Sequence, residues 1–226
     1  MPSVLFVFTS ADKTLTGAPT GWFLPEAAHP YYVLAPHANI DFAAPAGPNP
    51  PLDDVSIQMF KDDEGSVKFL NDEIVKQKLA NAKKLSDVKV EDYDAIFYVG
   101  GHGPVIDLAS DPVNANLVNE FWNSNKIVSA VCHGPAALVL GVDTAGNSIF
   151  AGRRATGFSN TEEEAMGKVK DVPFLLEDRI GTLGGQFEKA EDWQPKVIVD
   201  GRLITGQNPA SAHGVGEALL KALGGQ

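Results

Sequence analysis

The sequence of 226 residues predicts an α/β fold, a mostly parallel sheet with helices on both faces. Three observations carry this. Short apolar, β-branched runs alternate along the chain with longer stretches of helical pattern. The first run, "VLFVFTS", is short, β-branched and apolar, as a strand buried on both faces is, rather than apolar at every second position. Three of the runs end in "TS", "VGGHG" and "VCHG", and the carboxyl ends of such strands are where sheets of this kind carry their sites.

In order along the chain, "VLFVFTS" (Val4 to Ser10) is the first strand. "GWFLPEAAHPYYVL" is helical in composition as far as Pro30, whose ring removes a helix donor. "IDFAAPAG" is a second strand, ended by Pro45 and Gly47, and "PAGPNPPLDD" is a proline-rich surface loop. "SVKFLNDEIVKQKLANAKKL" sets Val67, Leu70, Ile74 and Leu79 among charges and predicts one amphipathic helix. "YDAIFYVGGHG" is a third strand running into glycines. "DPVNANLVNEFWNSN" opens with Asp111 as N-cap and Pro112 at the first helical position. "KIVSAVC" is a fourth strand. "PKVIVDG" and "RLITGQN" share a turn at Asp200-Gly201, a hairpin signal, and "PASAHGVGEALLKAL" is a closing helix.

Composition narrows the function classes. The length fits one domain over residues 1–226, and a hydrophobic share of 44% is that of a globular chain. A single cysteine allows no internal disulfide, which predicts a reducing compartment: the cytoplasm, with nuclear access open. "MPSVLFVFTS" has no basic leader and reads as a strand rather than a signal peptide, and no apolar window is long enough to span a membrane. A net charge of -11 repels phosphate backbones, so neither nucleic acid nor an anionic membrane is expected as the main partner.

The one thiol, Cys132 in "IVSAVCHGPAAL", stands at the junction of the fourth strand and a small-residue helical pattern. A sharp turn there exposes a nucleophile at the tip of the sheet. A helix N-terminus behind it is expected to lower the thiol pKa. The N–H of His133 would face an oxyanion on a substrate bonded to Cys132, and the glycines of "VGGHG" admit a second N–H. His133 is the adjacent base. Glu162, Glu163 and Glu164 offer carboxylates to orient it, and the pattern alone does not choose among them. Glu26, flanked by apolar residues, is expected to face inward with a raised pKa and to hold or shuttle a proton. His29, His37, His102 and His213 lack tight metal spacing and read as surface or core histidines. "GGHGP" lacks the spacing and lysine of a phosphate loop, and there is no G-x-S-x-G.

Together "GWFLPEAAHP", "YVGGHGPVIDL", "AVCHGPAAL", "ATGFSNTEEE" and "LITGQNPASAH" resemble the ThiJ/PfpI superfamily, and within it the fungal glutathione-independent glyoxalases, also described as heat-shock chaperones and protein deglycases. The match runs over almost the whole chain. It implies a flavodoxin-like three-layer sandwich, a homodimer, and no metal or organic cofactor. It also implies a Cys-His-Glu triad falling on Cys132, His133 and Glu163, with Glu162 a rival because "SNTEE" departs from the usual local pattern. Glu26 takes the place of the family's acidic helper, and the amides of Gly101 and His133 those of its oxyanion donors. The implied activity is conversion of methylglyoxal and similar 2-oxoaldehydes to D-lactate through a cysteine hemithioacetal. Two other classes stay open on the sequence: a cysteine amidase or peptidase, and a holdase chaperone or redox sensor that oxidises at Cys132.

Overall fold

The computed structural model describes residues 1–225. Strand β1 (Ser3–Val7) sends Val4 and Phe6 into one core and Leu5 and Val7 into another, which is why all four of these positions are apolar. It is followed by α1 (Leu24–Leu34), β2 (Asn39–Ala44), α2 (Asp54–Met59), α3 (Glu64–Asn71), α4 (Glu73–Ala80) and β3 (Lys83–Lys84). Next come β4 (Ala95–Tyr98), α5 (Gly103–Ile106), α6 (Pro112–Asn123) and β5 (Ile127–Val131). The chain continues through β6 (Arg154–Ala155), α7 (Asn160–Ala165), α8 (Leu176–Thr182), β7 (Gln186–Phe187), β8 (Val197–Asp200), β9 (Leu203–Gly206) and α9 (Ala212–Ala222).

The main sheet has the order β3-β2-β1-β4-β5-β9-β8, parallel except where β8 runs against β9 across the expected hairpin. β6 and β7 form a separate parallel pair. The architecture is the expected flavodoxin-like α/β sandwich. One core holds Leu117, Val118, Phe121 and Trp122 of α6; the other holds α1, α9 and a stack built on Phe6, whose ring centroid lies 4.8 Å from that of Phe97. The chain lays strands outward from β1 and then restarts at β4 on the other side. The crevice at the carboxyl ends of β1 and β4 is therefore a topological switch point, where α/β sheets bind ligands.

Three local expectations are corrected. Helix α1 does not end at Pro30 but carries it in its interior. A Cβ on Gly216 of α9 would lie 2.9 Å from the Pro30 Cα, so the two helices pack backbone to backbone, and this burial offsets the missing hydrogen bond. The expected amphipathic helix is two, broken at Asp72, whose backbone is extended and whose carboxylate accepts the Ile74 N–H at 2.9 Å and the Tyr32 hydroxyl at 3.0 Å. The break turns Phe69 and Val75 inward and leaves Val67 and Ile74 exposed. The proline-rich loop ends in Asp53, which caps the unforeseen α2 by accepting from the Val55 N–H at 2.9 Å. Asp111 caps α6 as expected, at 2.8 Å from the Val113 amide.

Candidate active site

Cys132 follows β5 directly and has φ 59°, left-handed backbone that costs a non-glycine residue roughly 1–3 kcal/mol. Two bonds hold it there: its N–H donates to the Gly206 carbonyl at 2.9 Å, and its own carbonyl accepts the Phe158 N–H at 2.8 Å. Gly134 is required by close approach, since a Cβ there would meet the Tyr98 carbonyl oxygen at 2.5 Å. The segment that follows, Gly134–Leu138, is a 3-10 turn rather than the expected helix.

Glu26, in the first turn of α1, is fully buried, and neither carboxyl oxygen has a hydrogen bond of good geometry. It lies against the strand end that carries Gly100. A Cβ on Gly100 would overlap Oε2 of Glu26 and stand 2.8 Å from the Cys132 Cβ, so no other residue fits between acid and thiol. Burial pushes the Glu26 carboxyl well up; the nearby thiol and the amides of Gly101 and Gly100 offset part of that, and the charge of Asp53 adds to it. Burial likewise pushes the Cys132 thiol up, and the Glu26 charge pushes it further. The expected lowering by a helix N-terminus is thus overturned. Five residues of 3-10 turn supply too little dipole to offset desolvation beside a carboxylate. Two buried acids in contact share protons as a pair.

On the other side of the sulfur, His133 has Nδ1 3.6 Å from Sγ and Nε2 2.5 Å from Oε2 of Glu163. Glu163 comes from the first turn of α7, and its neighbour Glu162 is turned away from His133. Glu162 closes a capping box with Ser159, and its Oε1 accepts the Trp193 N–H at 2.9 Å and the Asn208 amide at 2.8 Å. Of the two rivals it is Glu163 whose carboxylate reaches the imidazole. Burial raises its pKa, but the two adjacent imidazoles outweigh that and hold it well below the usual carboxylate range. The second imidazole is His102, which the sequence reading set aside as a surface or core histidine. Its Nε2 lies 2.6 Å from Oε1 of Glu163, and its ring centroid is 4.1 Å from that of His133. Burial, then the neighbouring His133, lowers its pKa to about 4.

His102, His133 and Glu163 place three ligating atoms within 4.8 Å of one another. The contacts of 2.5 and 2.6 Å are those of N–H donors on one carboxylate, whereas ligands of an ion face a common point about 2 Å away. Among the described residues, neither the Gly101 nor the His133 amide is spent on a backbone carbonyl. Cys132, Glu26, His102 and Gly101 all border one cavity of about 430 Å³, whose other walls include Phe23, Phe60, Phe158 and Trp193. The geometry supplies a thiol and an acid able to hold a proton at the wall of one apolar space, with a base and its orienting carboxylate beside the sulfur. No helix among the described residues is long and apolar enough to cross a membrane.

A family model described as the DJ-1/PfpI family matches residues 26–222. The glutathione-independent glyoxalase HSP31 of Saccharomyces cerevisiae is 30% identical over 97% of this chain and 97% of its own length. Among solved structures, glyoxalase III of Candida albicans superposes with a TM-score of 0.87 at 28% identity, covering 98% of this chain and 97% of that one. The Rapid Encystment Protein 24 KDa of Francisella tularensis superposes with a TM-score of 0.93 at 36% identity, covering 99% of each chain.

Proposed function

The chain belongs to the DJ-1/PfpI family, and on that footing we propose that it is a glutathione-independent glyoxalase, adding water to methylglyoxal and similar 2-oxoaldehydes to give D-lactate and its analogues. The observation that carries the reading is the left-handed Cys132 at the cavity wall, flanked by Glu26 on one side and the His133–Glu163 pair on the other. Elsewhere a diffusible thiol captures the aldehyde; here a fixed one does.

Cys132 gives its proton to Glu26 or to His133, and the sulfur bonds to C1 of the aldehyde. The electron pair of the carbonyl moves to oxygen, where the Gly101 and His133 amides hold it. Protonated, this is the hemithioacetal. The proton on C1 then leaves to Glu26 or His133, and the C1–C2 enediolate takes a proton at C2. C1 is now a thioester and C2 an alcohol: the first has been oxidised at the expense of the second, so no nicotinamide is required. His133, aligned by Glu163, removes a proton from water, which attacks the thioester; the C–S bond breaks and Cys132 recovers its proton. The sum is methylglyoxal plus water to lactate.

The test is to incubate purified protein with methylglyoxal, without glutathione or added metal, and measure D-lactate enzymatically. The wild type produces it and Cys132→Ala does not. Turnover by the Ala variant at the wild-type rate would overturn the scheme.

A further inference from the structure

We propose that His102 is a positioning residue of this site: it donates Nε2–H to Oε1 of Glu163 and thereby aims the other oxygen at His133. The inference rests on the reading above for its kinetic consequence, but not for its chemistry. Glu163 is an acceptor-only carboxylate whose side chain is 3% exposed, and its hydrogen bonds among the described residues are those to the two histidines. With each imidazole on a different oxygen, the carboxylate cannot rotate about its last bond without breaking one of them. Taking away one donor leaves a buried oxygen unpaired, the costly case for a charged group.

The backbone fixes His102 from both sides. Gly101 has φ 94°, and a Cβ on it would overlap the Gly21 carbonyl. A Cβ on Gly103 would overlap the Thr9 side chain. The chain at this strand end is therefore clamped between two segments that only glycine lets approach, and His102 is presented in one place. Kept neutral by its burial, it has a single ring N–H, which the ionised Glu163 takes. A histidine that served only packing has no need of this clamp or of the shared acceptor.

The test compares His102→Leu with His102→Gln, whose amide N–H can stand in for Nε2–H. Lactate production by the Leu variant falls about 10- to 100-fold in kcat, the range spanned by a hydrogen bond to a charged group, with KM little changed. Gln recovers most of it. The second readout is the rate of Cys132 alkylation by iodoacetamide against pH, which needs no turnover. In the Leu variant Glu163, relieved of one donor, holds positive charge on His133 more strongly, so the thiolate forms and alkylates at lower pH; in the Gln variant the profile stays that of the wild type. A Leu variant with wild-type kcat and an unmoved profile overturns the proposal. So does a Leu variant that is slow only because its Tm has collapsed, with Gln no better. If the wild type makes no lactate, the activity proposed above fails, and the alkylation profiles still decide the role of His102.

Discussion

Replacing Glu26 by Gln separates two effects that the buried pair combines. The substitution keeps the shape, as it must where Oε2 already fills the space over Gly100, and removes the charge. For Cys132, burial remains, but the second cause of its raised pKa is gone. A unit charge about 4 Å away at an effective dielectric near 20 is worth up to about 4 kcal/mol, and about a third of that changes the thiolate population tenfold. Above the pH at which Glu26 ionises, iodoacetamide therefore alkylates Cys132 in the variant at least about tenfold faster than in the wild type, as followed by mass spectrometry. Turnover moves the other way. Losing a positioned proton carrier costs about 10²- to 10⁴-fold in kcat, or about 3 to 5 kcal/mol. Stability supplies a third readout. Glu26 has a folded pKa above its unfolded value near 4.5, so the folded state keeps the proton longer. Its contribution is fully present below the unfolded value and is lost as pH rises towards the folded one, with a slope of about 1.4 kcal/mol per pH unit. Gln carries no such loss, so the Tm of the variant gains on that of the wild type as pH rises above about 4.5. Alkylation profiles that superimpose refute the coupled pair, and turnover within about threefold of wild type refutes the proton relay.

Two further outcomes follow from the same geometry. Glu163→Gln lowers kcat about 100-fold and destabilises the fold by about 3 kcal/mol, because it leaves a buried network without its charge. The folded pKa of Glu163 is depressed, so its stabilisation is present above the unfolded value of 4.5 and lost in acid below it; His102, depressed from 6.5 to about 4, acts in the same direction at higher pH, between those two values. Thermal melts against pH show the wild type losing Tm in acid more steeply than the Gln variant, and parallel curves would contradict this. Trp193 lines the cavity and packs on Phe158 at 5.8 Å between ring centroids. A cavity of about 430 Å³ is in the range that holds drug-sized ligands, so phenylglyoxal has a lower KM than methylglyoxal. Trp193→Ala raises the KM for phenylglyoxal about tenfold, near the worth of an aromatic pair, and leaves that for methylglyoxal almost unchanged. Equal effects on both substrates would remove Trp193 from the binding wall.

What could be read from the sequence was decided by neighbours in the chain. Strands buried on both faces are apolar at nearly every position, so β1, β4 and β5 announced themselves, as did the turn at Asp200-Gly201 and the cap at Asp111. What could not be read was decided by distant residues. Pro30 is tolerated because Gly216 of α9 lies against it. Asp72 breaks a helix because it caps the next one and accepts from Tyr32. The choice between Glu162 and Glu163 is one of helical phase: one faces Asn208 and Trp193, the other two histidines. His102 is 61 residues from its carboxylate, beyond any local pattern. One signal was available. It stands in "VGGHG" at the end of β4, beside the strand end that carries Cys132.

The direction of the Cys132 shift bears on how such a nucleophile works. A thiol that is buried beside a carboxylate is inert if considered alone. In this cavity it is not alone. Passing its proton to Glu26 leaves the net charge of the pair unchanged, so the transfer exchanges one desolvated anion for another rather than creating a new one. Passing it to His133 makes an imidazolium that rests on Glu163, an ionised carboxylate already held by two donors. On the scheme proposed above, the sulfur's charge would move to an oxygen held by the Gly101 and His133 amides, and the unfavourable thiolate need exist only along that path. Reactivity is then a property of the set Glu26, Cys132, His133 and Glu163. On this argument the pKa of the resting thiol is a poor measure of rate, and the Glu26→Gln protein, whose sulfur ionises more readily, is the slower enzyme because the proton that must travel between C1 and C2 has lost its carrier.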